Sequence, residues 1–517
     1  MSEPVSIPDA FRAACAAFSR QPLVVEQGGT LSFADVDRQS DRVAQSLLLG
    51  GIRKGERIAL YCLNVSEFVG AYLGIVKVGA VVVPVNLLIQ PDEITYILID
   101  AGVRGVIYHS AMAENVAAVR PALADVSYWL RIGGADASCD PLFAELPQVE
   151  TSLPTPKLDP LEDLAAILYT SGTTGRPKGA MLTHDNLVSN THSVRSALDL
   201  KAGHDRLLVV LPMFHSFAAT VGMLTPALHG LALLPVPRFE PVLVSDAIAS
   251  GQATVFLGVP SMYNLVLRLD DIHVSKWRSI RCGVAGGAAM PVELLDRFEK
   301  RFGFPILEGD GPTECSPVTC VNPREGQRKP GSVGLPVPDV QIRILDDRGM
   351  SVSAGDIGEI CVRGRNVMKG YWRLADATAA AFFDEWFRTG DLGFIDADGY
   401  VFMVDRKKDM VIVNGMNVYP RMVEEVLYRH PRIQEVAVVG EPHSSHGEIV
   451  VAYLVAREGM QLDDRELRAF CNEHLGQHQR PRRFEIRESL PKNATGKILK
   501  RELRRAGEIE RGIDAKD

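Results

Sequence analysis

The chain has 517 residues, of which 46% are hydrophobic and 23% charged, a composition typical of a globular protein with about three domains. Its 56 basic and 64 acidic residues give a formal net charge of -8, which excludes nucleic-acid binding driven by bulk positive charge. The eight cysteines contain no C-x-x-C pair, so we expect reduced thiols, no zinc site and a cytoplasmic protein.

One segment is apolar enough to raise the question of a membrane span. Residues 207–237 contain no Asp, Glu, Lys or Arg, and a stretch of this length can cross a bilayer. The segment also contains four prolines and two histidines, and a lipid-exposed helix with these breaks would leave backbone groups without hydrogen bonds. The sequence therefore predicts a buried strand, loop, helix and strand here, and peripheral contact with a membrane stays open.

Short apolar runs alternate with amphipathic stretches over roughly the first 400 residues. The strand-like runs include Arg57–Tyr61, Ala80–Pro84, Leu207–Leu211 and Thr254–Leu257, and the helix-like stretches include Ser32–Leu48 and Pro291–Phe302. This alternation predicts an α/β fold, with layered α/β subdomains and largely parallel sheets. The acidic, proline-rich segment 145–163 is typical of a surface linker between two of the subdomains.

The pattern restarts after Tyr400 as a smaller unit. Pro420 opens a helix, strands follow at Val436–Val439 and Ile449–Val455, and another helix runs from Asp464 to about Leu475. We therefore predict a large N-terminal domain over residues 1–404 and a small α+β C-terminal domain over residues 405–517.

The segment Leu164–Leu187, LAAILYTSGTTGRPKGAMLTHDNL, carries the strongest functional signal. It predicts a buried strand, a loop of small residues and a helix with Thr183 as its N-cap. The loop supplies hydroxyls, backbone amides and Lys178, which are the groups that cradle phosphates. The lysine lacks the preceding glycine and the following Ser or Thr of a Walker A loop. A flexible turn is the alternative, and it leaves this density of hydroxyls and glycines unexplained.

Four further motifs follow along the chain. LEGDGPTECSPV places Glu314 beyond two glycines, where a carboxylate beside a polyphosphate carries Mg²⁺; a plain turn into a helix is the alternative. WFRTGDLG places Asp391 in a turn after a strand, where a carboxylate accepts ribose hydroxyls or simply closes an Asx-turn. DRKKDMVIVNGMNVYP, residues 405–420, joins the two domains. LPKNATGKILK holds Lys497, which by itself is typical of a solvated lysine.

In order and spacing, the five motifs resemble the signature motifs of the adenylate-forming superfamily, which contains acyl-CoA synthetases, luciferases and peptide-synthetase adenylation domains. The resemblance covers essentially the whole chain. The segments LPMFHSFA, SPVTCVNP, GRNVMKGYW and VDRKKDMVIVNGMNVYPRMVEEVL are most similar to bacterial fatty-acyl-CoA ligases. The resemblance implies a two-step reaction with Mg²⁺, in which a carboxylic acid and ATP give acyl-AMP and pyrophosphate, and CoA then displaces AMP.

The resemblance also implies a role for each matching residue. Thr170–Lys178 holds the β- and γ-phosphates, and Thr170 with Glu314 binds Mg²⁺. Asp391 and Arg406 hold the ribose, and Lys497 bridges the carboxylate and the α-phosphate. Gly286–Ala288 and Glu308–Thr313 line the adenine and the acyl carbonyl. The implied nucleotide or CoA contacts are Thr170, Ser171, Gly172, Thr173, Thr174, Gly175, Lys178, Gly286, Gly287, Ala288, Glu308, Gly309, Asp310, Gly311, Pro312, Thr313, Asp391, Arg406, Gly415 and Lys497. The implied catalytic residues are Lys497, Glu314, Lys178 and His215.

By the same resemblance, the small domain swings between the two steps about a hinge at residues 405–408. The turn Asn414-Gly415 is permissive for positive φ and lets the backbone approach the pantetheine of CoA. One position departs from the family pattern, because an aromatic residue is usual where this chain has Asp310. Loss of stacking on adenine costs about 1 kcal/mol, and a carboxylate can instead accept a hydrogen bond from the adenine amino group.

His215 matches a position that lines the acyl tunnel in members of the superfamily, and the apolar segment 207–237 suits an aliphatic acid. We therefore predict a medium- or long-chain fatty acid as substrate, with an aryl or alicyclic acid as the alternative. A homodimer is compatible with the sequence.

Three other functional classes are weighed against this interpretation. A luciferase-like oxygenase shares every motif but forms no CoA thioester. An acyl-AMP ligase that feeds a carrier protein typically has an insertion near the domain junction, and the sequence shows no extra segment between Asp391 and Gly415. A non-enzymatic binding protein predicts loss of Lys497 or Glu314, and both are present.

Overall fold

A computed structural model describes residues 3–134, 140–149, 153, 156–170, 176–443, 446–492 and 497–504. These residues form a mixed α/β structure with a large N-terminal domain and a small C-terminal domain, which confirms the predicted fold class. Among the described residues the strands form four sheets, of which three lie in the large domain.

The largest sheet has nine strands and carries the main apolar core. In spatial order the strands are Leu335–Pro336, Cys320–Val321, Ile306–Asp310, Cys282–Ala285, Val255–Gly258, Arg206–Val209, Ala232–Pro235, Pro22–Glu26 and Gly29–Ser32. The run from Ile306–Asp310 to Pro22–Glu26 is parallel. Its central strands are almost wholly buried, as expected for a parallel sheet covered on both faces. The strands predicted at 207–211 and 254–257 are confirmed within two residues.

The second sheet has seven strands. It contains the strand that leads into the predicted phosphate-binding loop. In spatial order the strands are Gly370–Tyr371, Lys178–Thr183, Leu164–Thr170, Val81–Pro84, Arg57–Tyr61, Val103–His109 and Tyr128–Ile132. The prediction that a helix directly follows the glycine-rich loop was wrong. The chain first returns as the strand Lys178–Thr183, antiparallel to Leu164–Thr170, because residues on both sides of the loop pair with each other.

The third sheet is antiparallel and closes the large domain. Its strands are Val340–Leu345, Gly358–Gly364, Phe382–Phe383, Trp386–Ile395 and Val401–Arg406. The prediction that Asp391 lies in a turn after a strand was wrong. The strand Trp386–Ile395 runs through Asp391, which stands opposite Arg406 in the ladder, because pairing with Val401–Arg406 extends the strand past both glycines.

The fourth sheet forms the small domain with its strands Met416–Val418, Val411–Val413, Gly447–Ala456, Ile433–His443 and Arg483–Ile486. Helices Pro420–Tyr428 and Asp464–His474 pack on this sheet through a separate apolar core. The helix at Pro420, both strands and the final helix are therefore found where the sequence predicts them. The third sheet ends at Arg406 and the fourth begins at Val411, and the domain boundary at 405 stays a prediction.

The helices of the large domain cover the faces of the sheets. Those of seven or more residues are Ile7–Phe18, Phe33–Leu49, Ser66–Lys77, Pro91–Ala101, Ala113–Val119, His184–Ala197, the π-helix Ala218–Leu224, Pro241–Gly251, Pro260–Val266 and Val292–Phe302. The shorter ones are Thr225–His229, Asp271–Val274 and Ala375–Ala380. The helices predicted at 32–48 and 291–302 are confirmed within one residue.

The apolar segment 207–237 folds as predicted, into a buried strand, a loop, helical turns and a second buried strand. Its four prolines and two histidines thus lie within the core of the large domain or at its edges. Across the described residues, no helix combines the length and the apolar character that crossing a bilayer requires.

Candidate active site

A cavity opens at the carboxyl ends of the parallel strands Cys282–Ala285 and Ile306–Asp310. Most of its wall is apolar, and the aliphatic residues in it include Val194, Ala197, Leu198, Val221, Val284, Val318 and Val321. Polar side chains in the wall include His215, Ser216 and Asp310. Ligands of open α/β sheets bind at this end of the strands, so the cavity is a candidate binding site.

The structure brings the glycines of two sequence motifs together in the wall of this cavity. Gly286 and Gly287 come from the loop after one strand, and Gly309 and Gly311 come from the end of the next. A side chain has no room at Gly311, because a Cβ atom there would lie 1.5 Å from the carbonyl oxygen of Pro317. The cavity wall is therefore bare backbone at these positions, which allows a ligand to approach closely.

Four charged side chains meet beside the cavity. Asp391 and Arg406 face each other on paired strands, with 3.4 Å between Asp391 Oδ1 and Arg406 Nε. Burial raises the pKa of Asp391, and the charges of Arg406 and Lys497 oppose that shift. Burial and the nearby Asp391 charge raise the pKa of Asp310 to about 6. Two buried carboxyl groups thus share the field of two cations.

Lys497 belongs to the C-terminal domain, and its ammonium lies among Arg406 and the large-domain carboxylates Asp391 and Asp310. Burial, reinforced by Arg406, lowers the pKa of Lys497 to about 8, while Asp391 and Asp310 oppose the shift. The residues just before it, Asn493–Gly496, lie outside the described residues. The structure therefore places the predicted catalytic lysine next to the predicted ribose-binding pair.

Glu314 lies in the single helical turn Thr313–Cys315, near the strand that leads into the predicted phosphate-binding loop. Its Oε1 accepts hydrogen bonds from the Tyr371 hydroxyl at 2.9 Å and from the Thr170 hydroxyl at 3.5 Å. Lys178 Nζ lies 5.2 Å from the centre of the Tyr371 ring. The predicted phosphate and metal residues Thr170, Lys178 and Glu314 thus meet around Tyr371. The predicted residues Ser171–Gly175 lie outside the described residues.

Tyr371 was missed by sequence reasoning, although it lies in the quoted segment GRNVMKGYW. Burial and the Glu314 charge raise the pKa of its hydroxyl, so it stays a hydrogen-bond donor at neutral pH. Its position between two functional motifs depends on pairing of the short strand Gly370–Tyr371 with Lys178–Thr183. No local pattern in the sequence signals that pairing.

His215 lies in the cavity wall, in the loop between a strand and the π-helix. Burial and the Lys497 charge lower its pKa to about 4, so its imidazole is neutral at physiological pH. Its Nδ1 accepts the Phe217 N–H at 3.4 Å. The neighbouring Ser216 hydroxyl lies 3.2 Å from the Thr313 hydroxyl, which ties this loop to the turn that carries Glu314.

Two predicted site residues lie elsewhere. Glu308 is 2% exposed and faces away from the cavity, with its Oε1 accepting the Met290 N–H at 3.0 Å. Gly415 lies at the exposed tip of a hairpin in the small domain. Both Asn414 and Gly415 have positive φ, at 50° and 79°, as the sequence of this turn predicts.

Comparison with known proteins agrees with this architecture. The family model for AMP-binding enzyme matches residues 11–372, and that for AMP-binding enzyme C-terminal domain matches residues 422–497. The long-chain-fatty-acid–CoA ligase of Bacillus subtilis (strain 168) is 36% identical over 515 residues, covering 94% of this chain and 92% of that protein. Feruloyl-CoA synthase from Amycolatopsis sp is 36% identical over 494 residues, covering 95% and 97%.

A solved structure extends the likeness to three dimensions. The anthranilate CoA ligase AuaEII in complex with anthranoyl-AMP has a TM-score of 0.92 to this chain at 29% identity, with 99% of each chain covered. Both family models and the near full-length relatives confirm the resemblance seen in the motifs. The chain belongs to the AMP-binding enzyme family, within the adenylate-forming acyl-CoA ligases.

Proposed function

We propose that the protein is an ATP-dependent ligase that adenylates a medium- or long-chain fatty acid and transfers the acyl group to CoA. The observation that carries the proposal is the meeting of Lys497, the Asp391–Arg406 pair and an apolar cavity at one place. The cavity accepts an aliphatic tail through dispersion and burial of apolar surface. The charged cluster beside it suits a carboxylate and a nucleotide.

In the first step, a carboxylate oxygen attacks the α-phosphorus of ATP and pyrophosphate leaves. Both partners are anionic, so the step needs positive charge and alignment more than it needs a nucleophilic side chain. Lys497 supplies the charge where carboxylate and α-phosphate approach. The Asp391 carboxylate accepts hydrogen bonds from the ribose hydroxyls, and Arg406 orients that carboxylate. His215 is neutral, so it does not form an ion pair that would draw the substrate carboxylate away from the α-phosphate.

The oxygen atoms of Glu314 and Thr170 fit Mg²⁺, which prefers oxygen ligands and keeps several waters. Tyr371 and Thr170 both donate to Oε1 of Glu314, which leaves lone pairs of the carboxylate available to a cation. When bound there, the ion neutralises charge on the departing pyrophosphate. Lys178 and the amides of the adjoining loop hold the same phosphates.

In the second step, the CoA thiolate attacks the acyl carbonyl and AMP leaves. Lys497 and the thiol cannot approach the acyl-adenylate from the same side at once. The small domain, residues 405–517, therefore swings about residues 405–408 between the steps. The swing brings the turn Asn414-Gly415 to the pantetheine arm, and its positive φ angles allow a close backbone approach.

An aryl acid is the second candidate substrate. It is favoured by the similarity to feruloyl-CoA synthase and to the anthranilate CoA ligase, both of which are named for aromatic acids. The aliphatic residues along the cavity accept an aromatic ring as well as a methylene chain. The fatty acid is preferred because the cavity contains several small side chains, and the long-chain-fatty-acid–CoA ligase covers the chain equally well.

The direct test measures pyrophosphate release over a panel of fatty, aryl and alicyclic acids, with and without CoA. The proposal expects an aliphatic acid of medium or long chain to give the highest kcat/KM, with CoA thioester as product. Higher kcat/KM with aryl acids would select the second candidate. Acyl-AMP formation without transfer to CoA would instead indicate a ligase that loads a carrier protein.

Glu314→Gln is expected to slow adenylation and to weaken the apparent affinity for Mg²⁺. The amide keeps the size of the side chain but removes the negative charge that attracts the cation. The measurement is pyrophosphate release as a function of Mg²⁺ concentration at saturating ATP. Glu441→Gln is a suitable control, because this buried carboxylate pairs with Arg483 inside the small domain. An unchanged Mg²⁺ dependence in the Glu314 variant would contradict the assignment of Glu314 to the metal site.

Adenylation without CoA is expected to lose rate as pH rises above about 8. Lys497 has a lowered pKa of about 8, so its positive charge is complete below that pH and is lost above it. The measurement is kcat/KM for ATP in pyrophosphate release between pH 6 and about 9.5. In Lys497→Arg the guanidinium stays charged over this range, so its residual rate is expected to remain flat above pH 8. Parallel profiles for both proteins would assign the titration to another group.

A further inference from the structure

A buried ion pair joins the small domain to the large domain behind the cavity wall. Arg421, in the first turn of helix Pro420–Tyr428, lies 3.7 Å from Glu308, measured from Nη2 to Oε1. The Arg421 and Glu308 side chains are only 11% and 2% exposed. The guanidinium of Arg421 also donates to the Met403 carbonyl at 2.8 Å, and its backbone N–H donates to Asp405 Oδ2 at 2.8 Å. Glu308 and Met403 belong to the large domain, and Asp405 lies at the predicted domain boundary.

Glu308 in turn holds the loop that lines the cavity. Its Oε1 accepts the Met290 N–H at 3.0 Å, and Met290 lies at the end of the loop that begins with Gly286. Among the described residues, Glu308 Oε2 has no hydrogen-bond partner. Burial raises the pKa of Glu308 to about 7, and the Arg421 charge opposes that shift. Removing the cation would leave a buried carboxylate without its compensating charge.

The next turn of the same helix lies near the other end of the loop. Glu425 follows Arg421 by four residues, so the two side chains share one helix face. Burial raises the pKa of Glu425, and the nearby Arg421 charge and Val292 N–H oppose that shift. Val292 opens the helix Val292–Phe302, whose N-cap residue is Pro291 and makes no side-chain cap hydrogen bond. The Glu425 carboxylate of the small domain therefore lies near the N-terminus of this helix, where a negative charge is favourable.

We propose that Arg421 is a positioning residue for the first half-reaction, which docks the small domain on Glu308 and thereby holds the cavity loop 286–291 in place. The proposal rests on the proposed function, because it assigns the docked arrangement to adenylation. In that arrangement Arg421 compensates the charge of Glu308, and Glu308 holds the loop at Met290. When the small domain swings away, Glu308 loses its compensating cation and holds Met290 less firmly.

Arg421→Gln is expected to lower the rate of acyl-AMP formation at least tenfold and to raise the KM for ATP. Thioester formation from supplied acyl-AMP and CoA is expected to stay within twofold of the wild-type rate, because the docked contact is absent in that step. The preserved second step also shows that the variant is folded. Equal loss in both half-reactions, or loss in neither, would overturn the proposal.

Arg457→Gln is the matched control. Arg457 also joins the small domain to helix Val292–Phe302, with 3.3 Å between its Nη2 and Glu293 Oε1. This pair is about one third exposed, and Glu293 has a second partner in Arg297 at 3.3 Å. Exposed pairs of this kind contribute little. The control is expected to change the rate of either half-reaction less than twofold. A loss equal to that of Arg421→Gln would show that the effect comes from the charge of the domain interface in general and not from the Arg421–Glu308 pair.

The double variant Arg421→Gln/Glu308→Gln distinguishes loss of the ion pair with Glu308 from loss of another hydrogen bond of Arg421. If the damage comes from a buried carboxylate without its cation, removing that carboxylate is expected to recover at least threefold of the lost adenylation rate. A double variant no faster than Arg421→Gln would contradict this account.

Hydrogen exchange tests the same inference without relying on activity. The amides of residues 286–292 are expected to exchange at least tenfold faster in Arg421→Gln than in the wild type, and unchanged in Arg457→Gln. Unchanged exchange in Arg421→Gln would overturn the positioning role. If the wild type releases no pyrophosphate with any acid, the proposed function fails, while the exchange result still decides whether Arg421 holds the loop.

Discussion

Lys497→Ala is expected to slow acyl-AMP formation by at least a hundredfold, while thioester formation from supplied acyl-AMP largely survives. Lys497 lies beside Arg406, Asp391 and Asp310, and under the proposed function its charge would meet the substrate carboxylate and the α-phosphate. Removing one preorganised group from such a site costs about 2.7–4 kcal/mol of transition-state stabilisation. The measurement compares pyrophosphate release without CoA against CoA thioester formation from synthetic acyl-AMP.

Lys492→Ala is a matched control for this variant. Lys492 precedes the same loop and its backbone bridges to Ile498, but its ammonium pairs with Glu435 of the small domain at 2.6 Å. The control is expected to retain both half-reactions. If Lys497→Ala lost both steps to the same extent, the lysine would act in folding or docking and not in the chemistry of the first step.

Features that depend on neighbouring residues were predictable from the sequence. Thr183 caps its helix as expected, since its hydroxyl accepts the Asn186 N–H at 3.1 Å and Asn186 Oδ1 accepts the Thr183 N–H at 2.8 Å. The turn Asn414-Gly415 adopts positive φ at both residues. The buried parallel strands appear as continuous apolar runs because both of their faces are covered.

Features that depend on distant pairing were not predictable. Two glycines around Asp391 are typical of a turn, but pairing with Val401–Arg406 draws them into a long strand. The contact of Tyr371 with Glu314 needs two strands that lie far apart in the chain to meet. The Arg421–Glu308 pair likewise joins separate domains. Hydrophobic periodicity reports which face of an element is buried, and it does not report which element covers that face.

Asp310 shows how a departure from a family motif gains meaning from its surroundings. The sequence alone indicates either the loss of an aromatic face for adenine or a carboxylate that accepts a hydrogen bond from the adenine amino group. The structure places it in the cavity wall, within the field of Lys497 and Arg406, with a pKa raised to about 6. A carboxyl group there adds to the charge that attracts Lys497, so its effect extends to the docking of the small domain as well as to the nucleotide.

The segment that connects the two domains contacts the large domain just before Lys408 and the small domain just after it. On one side, Lys407 forms ion pairs with Asp347 and with Glu359, the latter at 3.3 Å, and both partners belong to the large domain. On the other side, Asp409 pairs with Arg504 of the small domain at 2.9 Å. Lys408 lies between these anchors, in a turn that follows the strand Val401–Arg406. If the domains rotate as proposed, we therefore expect the rotation to concentrate on the backbone angles of Lys408.

Lys408→Pro is expected to spare pyrophosphate release in the first turnover and to slow thioester formation severely, so that acyl-AMP accumulates on the enzyme. Proline fixes φ near -65° and removes the backbone N–H, and a hinge that needs two φ values can then reach only one of them. Rapid-quench measurement of acyl-AMP and acyl-CoA in a single turnover distinguishes the two steps. Lys408→Ala removes the same side chain but keeps the backbone free, so it is expected to turn over with CoA at close to the wild-type rate. Normal steady-state turnover by the proline variant would place the hinge at another residue, whereas equal damage in the alanine variant would assign the effect to the ammonium group and not to the rotation.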